Sequence, residues 1–183
     1  MKRSDLEHIL RASAAITGAD EFVVIGSQSI LGGHPDAPPA LLVSQEADIC
    51  TFRDPADAEL IEGSIGEGSP FHRTFGYFAH GVGIETATLP AGWRDRLIAL
   101  RSAATGGAIG LCLDAADLAV SKLVAGREKD FVFVRIMVEH AIVLPAVLSE
   151  RVTVTDLSPP DRPLVMARLR RVEHEARRKS GPS

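Results

Sequence analysis

Two acids one residue apart, Glu46 and Asp48, stand in the alternating run Glu46-Ala47-Asp48-Ile49-Cys50-Thr51-Phe52. On a strand such a pair points the same way, about 7 Å apart along the chain. Apolar neighbours make both carboxylates costly to ionise without a cation, so the pair is a natural seat for Mg²⁺. Some twenty residues earlier, Val24-Ile25-Gly26-Ser27 closes a short β-branched run. A glycine-serine turn at a strand end offers backbone N–H groups and a hydroxyl to phosphate oxygens, with no side chain in the way. A third segment runs from Asp117 to Asp130 and carries Lys122, Arg127, Glu128 and Lys129. Its cations are of the kind that hold phosphate through charge-assisted hydrogen bonds. Each segment also has a plainer reading. The acids suit the solvent face of an edge strand, Gly26-Ser27 a simple turn and Lys122 a solvated helix face. Arg127 and Asp130 suit an i, i+3 ion pair worth ~0.3 kcal/mol.

Other chemistries find less support. His34, His72 and His80 are too scattered for a metal motif, and none belongs to a His-x-x-x-His helix. No Gly-x-Ser-x-Gly elbow is present, and the glycine-rich residues 105–110 lack the following Lys-Ser or Lys-Thr of a P-loop. Cys50 and Cys112, the only cysteines, each lie in an apolar stretch and read as buried thiols.

Gly26-Ser27 followed by Glu46-Ala47-Asp48 resembles, in order, spacing and expected secondary structure, the nucleotidyltransferase superfamily with the DNA-polymerase-β-like core. The run from Asp117 to Asp130 resembles the helix of its AbiEii-like toxin branch, and together the matches span about residues 21 to 135. The resemblance implies that Glu46 and Asp48 are catalytic and hold Mg²⁺, while Gly26, Ser27, Lys122, Arg127 and Asp130 bind the nucleotide. It implies transfer of an NMP from a nucleoside triphosphate to a tRNA or other RNA, or to a protein acceptor, by a toxin of a toxin–antitoxin system with a cognate antitoxin as partner. Two residues depart from the pattern. Glu46 stands where the family has aspartate, and Glu85 is the one candidate for a third acid from a later strand. The alternative reading is a catalytically degenerate, antitoxin-like module that binds nucleotide or a partner without turnover.

The elements that must carry these residues follow from periodicity and breakers. Residues 4–17 have helical spacing, with Ser4 and Glu7 patterned as a capping box. Residues 21–25 and 46–52 read as neighbouring strands of one sheet, with a short helix after the first and prolines excluding regular structure over 34–39. Asp54-Pro55 opens a helix through Ile65. Val82–Ala87, Arg96–Leu100 and Leu111–Leu113 read as further strands. Helices are expected from the Asp114 cap to Gly126, over Phe131–Leu144, and over 161–179, where Arg168, Arg170, Arg171, Arg177, Arg178 and Lys179 face water. This is an α/β (α+β) mixed-sheet core over residues 1–110, followed by a helical C-terminal part, 111–183, that completes the site.

Composition bounds these readings. At 183 residues, 45% hydrophobic and 24% charged, the chain holds one ordinary domain with at most a small annex, and disorder is excluded for most of it. A net charge of -4 provides no global basic field for nucleic acid, so any polyanion must bind locally. No apolar run approaches the roughly 18 residues of a membrane span, and acids interrupt the first residues before a signal-like core forms. A cytoplasmic location without a membrane partner is the expectation.

Overall fold

The computed structural model describes residues 1–180, with side chains through residue 178. The chain forms two compact units: Met1–Ala87 with Arg96–Asp114, and Thr88–Asp95 with the residues from Ala115 onward. The first unit contains α1 (Arg3–Thr17), β1 (Glu21–Ile25), α2 (Ile30–Gly33), β2 (Glu46–Cys50), α3 (Ala56–Ile65), α4 (Pro70–Phe75), β3 (Phe78–Gly81), β4 (Ile98–Leu100) and β5 (Ile109–Cys112). The second contains α5 (Ala115–Ala125), α6 (Glu128–Glu139), α7 (Pro145–Thr153) and α8 (Asp161–Ser180).

The strands form one five-stranded sheet in the order β3-β2-β1-β5-β4. It is mixed, as expected: β1 runs antiparallel to β2 and parallel to β5, while β2 and β3 are parallel and β4 and β5 antiparallel. Phe22, Val23, Val24 and Ile25 are all buried, which is why the central strand reads as a continuous apolar run without alternation. The two strands proposed as neighbours are neighbours, with Val24 opposite Ile49 and Ile25 opposite Asp48. Helix α1 buries Leu6, Ile9 and Leu10, at the spacing of one helical face, and packs on α3. Its cap differs from the expected Ser4/Glu7 box: Lys2 precedes the helix, and its backbone N–H donates to Asp5 Oδ2 at 2.7 Å. Helix α3 opens where Asp54 accepts from the Ala56 N–H at 2.9 Å, and its buried Asp57 is held by Arg53 at 2.8 Å and by the Thr51 hydroxyl at 2.9 Å.

Two boundaries matter for the site. A strand was expected over Val82–Ala87, but β3 ends at Gly81 and residues 84–86 form a 3-10 turn in which the Thr86 hydroxyl donates to Gly83 O at 2.7 Å. The ladder with β2 instead uses Phe78 to Gly81, whose backbone continues the pairing at Val82 N–H to Ile49 O. Similarly, α6 starts at Glu128 rather than Phe131 and ends at Glu139 rather than Leu144. Acidic Glu128 and Asp130 occupy its first turn, where the helix dipole favours them.

In the second unit the four helices pack on one another, and α8 buries Val165, Leu169, Val172 and Ala176 along one stripe. Residues 88–95 join this unit through Ala91 N–H to Val154 O at 3.0 Å. Arg170, Arg171, Arg177 and Arg178 are exposed on α8, as expected, but Arg168 is not, and the Lys179 side chain lies outside those described. Its guanidinium turns inward and donates to the carbonyls of Leu123 and Val124 at 2.8 and 2.9 Å, satisfying the open C-terminal end of α5. Among the described residues no helix is long and apolar enough to cross a membrane.

Candidate metal and nucleotide site

Alternation on β2 puts Glu46 and Asp48 on one face, with Ala47 and Ile49 buried on the other. The parallel neighbour β3 sets His80 opposite Asp48 in register. The His80 Nδ1 lies 3.0 Å from Glu46 Oε1 and 3.2 Å from Asp48 Oδ1. One donor atom from each of these three side chains falls within 4.8 Å of the other two. Two carboxylates and an imidazole at that separation fit a single divalent cation, and all three side chains keep some exposure through which further ligands can enter.

Charge crowding marks the same place. The Asp48 carboxyl is pushed up to about 6, chiefly by burial and then by the adjacent Glu46, with His80 pulling it partly back. Burial alone would lower the His80 imidazole. The hydrogen bond to Asp48 and the charges of Asp48, Glu46 and Glu62 outweigh it and hold His80 above its ordinary value.

The glycine-serine turn meets these acids directly. Gly26 follows Ile25, the register partner of Asp48, and has φ 68° and ψ -167°, a conformation essentially restricted to glycine. A Cβ at this position would stand 1.8 Å from Asp48 Oδ2. The backbone therefore passes over the carboxylate at a distance that no side chain permits. Ser27 begins the 3-10 turn Ser27–Ser29, which the Ser29 hydroxyl closes by donating to Gly26 O at 2.9 Å. Gly26→Ala is accordingly expected to destabilise the fold by about 1–3 kcal/mol, from backbone strain alone. It should also displace Asp48; denaturant unfolding and cation titration of the same variant would measure the two effects.

Lys122, Arg127 and Asp130 come together in the second unit. Lys122 is at the last turn of α5, Arg127 precedes α6 and Asp130 lies in its first turn. Asp130 accepts from Arg127 Nε at 2.6 Å and from Lys122 Nζ at 3.2 Å. The bond between Arg127 and Asp130 is the i, i+3 pair foreseen from spacing. Lys122, however, is only 8% exposed and lies 4.5 Å from the centre of the Phe133 ring, so a solvated helix face is not its setting. Burial would raise the Asp130 carboxyl, but hydrogen bonds and charge from Arg127 and Lys122 hold it below its usual range.

His80 is the functional candidate that sequence reasoning set aside. Its signal lay in Phe78-Ala79-His80, a short alternating segment which the strand assignment placed four residues too late. Glu85, sought as a third acid, lies in the 3-10 turn Ile84–Thr86 and is not one of the three grouped donors.

A family model described as "Nucleotidyltransferase of unknown function (DUF6036)" matches residues 4–143, well over half of the chain. No curated protein and no solved structure matches.

Proposed function

The chain belongs to the DUF6036 family of nucleotidyltransferases of unknown function, and from that premise we propose that it transfers an NMP from a nucleoside triphosphate to a macromolecular acceptor with the help of a divalent cation. The observation that carries the reading is the closure of the Gly26 turn over the Asp48 carboxylate beside Glu46 and His80. Phosphate-binding backbone and cation-binding side chains then belong to one place.

In this reading Glu46 and Asp48 hold the cation, Mg²⁺ by the family resemblance. When bound, the cation supplies charge neutralisation at the triphosphate and acidifies the acceptor hydroxyl. Gly26 and Ser27 bind phosphate oxygens through backbone N–H and hydroxyl, and the missing side chain at Gly26 lets the triphosphate approach the acids. The acceptor oxygen forms a bond to the α-phosphorus as the bond to the departing pyrophosphate breaks, and the hydroxyl proton passes to water. Lys122, Arg127 and Asp130 are assigned to nucleotide binding on their sequence motif, with Asp130 orienting the two cations.

The run from Asp117 to Asp130 also supports the AbiEii-like toxin branch, an acceptor that is RNA or protein, and a cognate antitoxin. The exposed arginines of α8 favour tRNA or another RNA as acceptor, since local cations replace the counterions of a phosphate backbone. Cys50 and Cys112 are buried and unpaired, which fits a reducing, cytoplasmic setting.

The test is incubation with each α-labelled NTP, a divalent cation and either total RNA or cell extract, followed by pyrophosphate release and label on acid-insoluble material. Transfer is expected with at least one NTP and none after cation removal. Absence of transfer under every condition would reject the activity. Glu46 in place of aspartate favours one rival, the degenerate nucleotide-binding module. That rival requires NTP binding without label transfer.

A further inference from the structure

We infer that His80 is the third donor of the cation site and that it turns the site toward a first-row transition ion, with Mn²⁺ preferred over Mg²⁺ more strongly than two carboxylates alone would give. The inference rests on the reading of Glu46 and Asp48 as the cation-binding pair, and adds the identity of the third ligand and its chemical consequence.

Register is the first support. His80 is the residue of β3 paired with Asp48, so its placement follows from the ladder and does not depend on a flexible loop. The end of β3 is fixed further where the Gly81 N–H donates to Glu62 Oε2 at 3.0 Å. Distance is the second. The imidazole Nδ1 faces both carboxylates within 3.2 Å, the crowding that a shared ion would replace.

Donor chemistry supplies the direction. Mg²⁺ is small and hard, takes oxygen ligands at near-octahedral geometry and gives up water reluctantly. An imidazole nitrogen adds little to its binding. First-row divalent ions accept nitrogen, and Mn²⁺ also suits carboxylate oxygen, so a set of two carboxylates and one imidazole falls within its range. A carboxylate in place of His80 would restore an all-oxygen set and a further negative charge, conditions that favour Mg²⁺. The half-exposed His80 and Glu46 leave room for water or phosphate oxygens to complete the shell.

The experiment is calorimetric titration of the whole chain with Mn²⁺ and separately with Mg²⁺, for wild type, His80→Ala and His80→Asp, with pulsed paramagnetic resonance of the Mn²⁺-loaded wild type. Nitrogen-14 coupling to Mn²⁺ is expected in wild type. In His80→Asp that coupling should vanish and the ratio of Mn²⁺ to Mg²⁺ affinity should fall at least about tenfold. Bound Mn²⁺ without nitrogen coupling, or an unchanged affinity ratio in His80→Asp, overturns the assignment. The wild-type spectrum decides even if a variant folds poorly. Nitrogen coupling without NMP transfer would leave this inference standing and remove the proposed activity. Transfer without nitrogen coupling would do the reverse, and failure of wild type to bind either ion would overturn both.

Discussion

Asp48→Asn is expected to lower cation-dependent NMP transfer on the order of 10²–10³-fold, the scale of losing one pre-placed electrostatic group from an active site, while making the cation-free protein more stable. Both effects have one origin. Asp48 is mostly buried beside Glu46, and ionising it there is unfavourable, as its rise from 3.8 to about 6 records. A carboxyl raised in the folded state contributes most at pH below 3.8, and that contribution is lost as pH rises through about 6. Asparagine keeps the shape and has no charge to lose. Above pH 7 the variant should therefore exceed wild type in unfolding free energy by about 1–3 kcal/mol, and the advantage should shrink toward zero near pH 4. Urea unfolding at several pH values, with and without divalent cation, measures this. Wild type should also gain stability from added cation, and Asp48→Asn much less. A variant that is less stable at every pH would mean that Asp48 serves the fold and not a ligand.

The second large effect is expected at Asp130. Asp130→Ala removes the buried carboxylate that Lys122 and Arg127 share, and deleting one partner of a buried ion pair typically costs about 3–5 kcal/mol. Arg127→Ala should cost much less, because Arg127 is largely solvated and Lys122 keeps its partner. Because Asp130 is held below its ordinary value, its contribution is present above the unfolded carboxylate range and is lost as pH falls through the lower, folded value. Lys122→Met together with Asp130→Leu should recover much of the stability lost by Asp130→Ala, since apolar replacement of a whole buried pair is often neutral or stabilising. If that double variant regains stability and still binds labelled NTP as wild type does, the nucleotide-binding role of this group is refuted and its role is structural.

The parts of the site that were legible in sequence are those fixed by local rules. Gly26 ends an apolar strand, and Glu46 and Asp48 alternate with apolar residues, so the pairing that joins them needed only two strong strand signals and a connection carrying a short helix. His80 was not legible because its role depends on register between parallel strands, which no single segment encodes. Its strand is also four residues long and merges into the aromatic stretch before it. Lys122 is a different case. Its place on α5 was correct, but its burial depends on a carboxylate eight residues later, beyond the turn at Gly126. A Cβ on Gly126 would stand 2.1 Å from the Arg168 guanidinium carbon, a constraint contributed by a helix far along the chain.

That inward-turned Arg168 also sets an order of assembly. Every strand of the sheet has been synthesised by Cys112, so the first unit holds its full complement of ladders while the last helix is still unmade. The turn that carries Arg127 and Asp130 has its own local bonds, but the carbonyls of Leu123 and Val124 beside it gain the Arg168 donor only when a residue 45 positions beyond Leu123 has emerged. During synthesis, which runs from the N-terminus, every strand of the acid-bearing sheet is therefore available for pairing before the helix that supplies this last donor has been made.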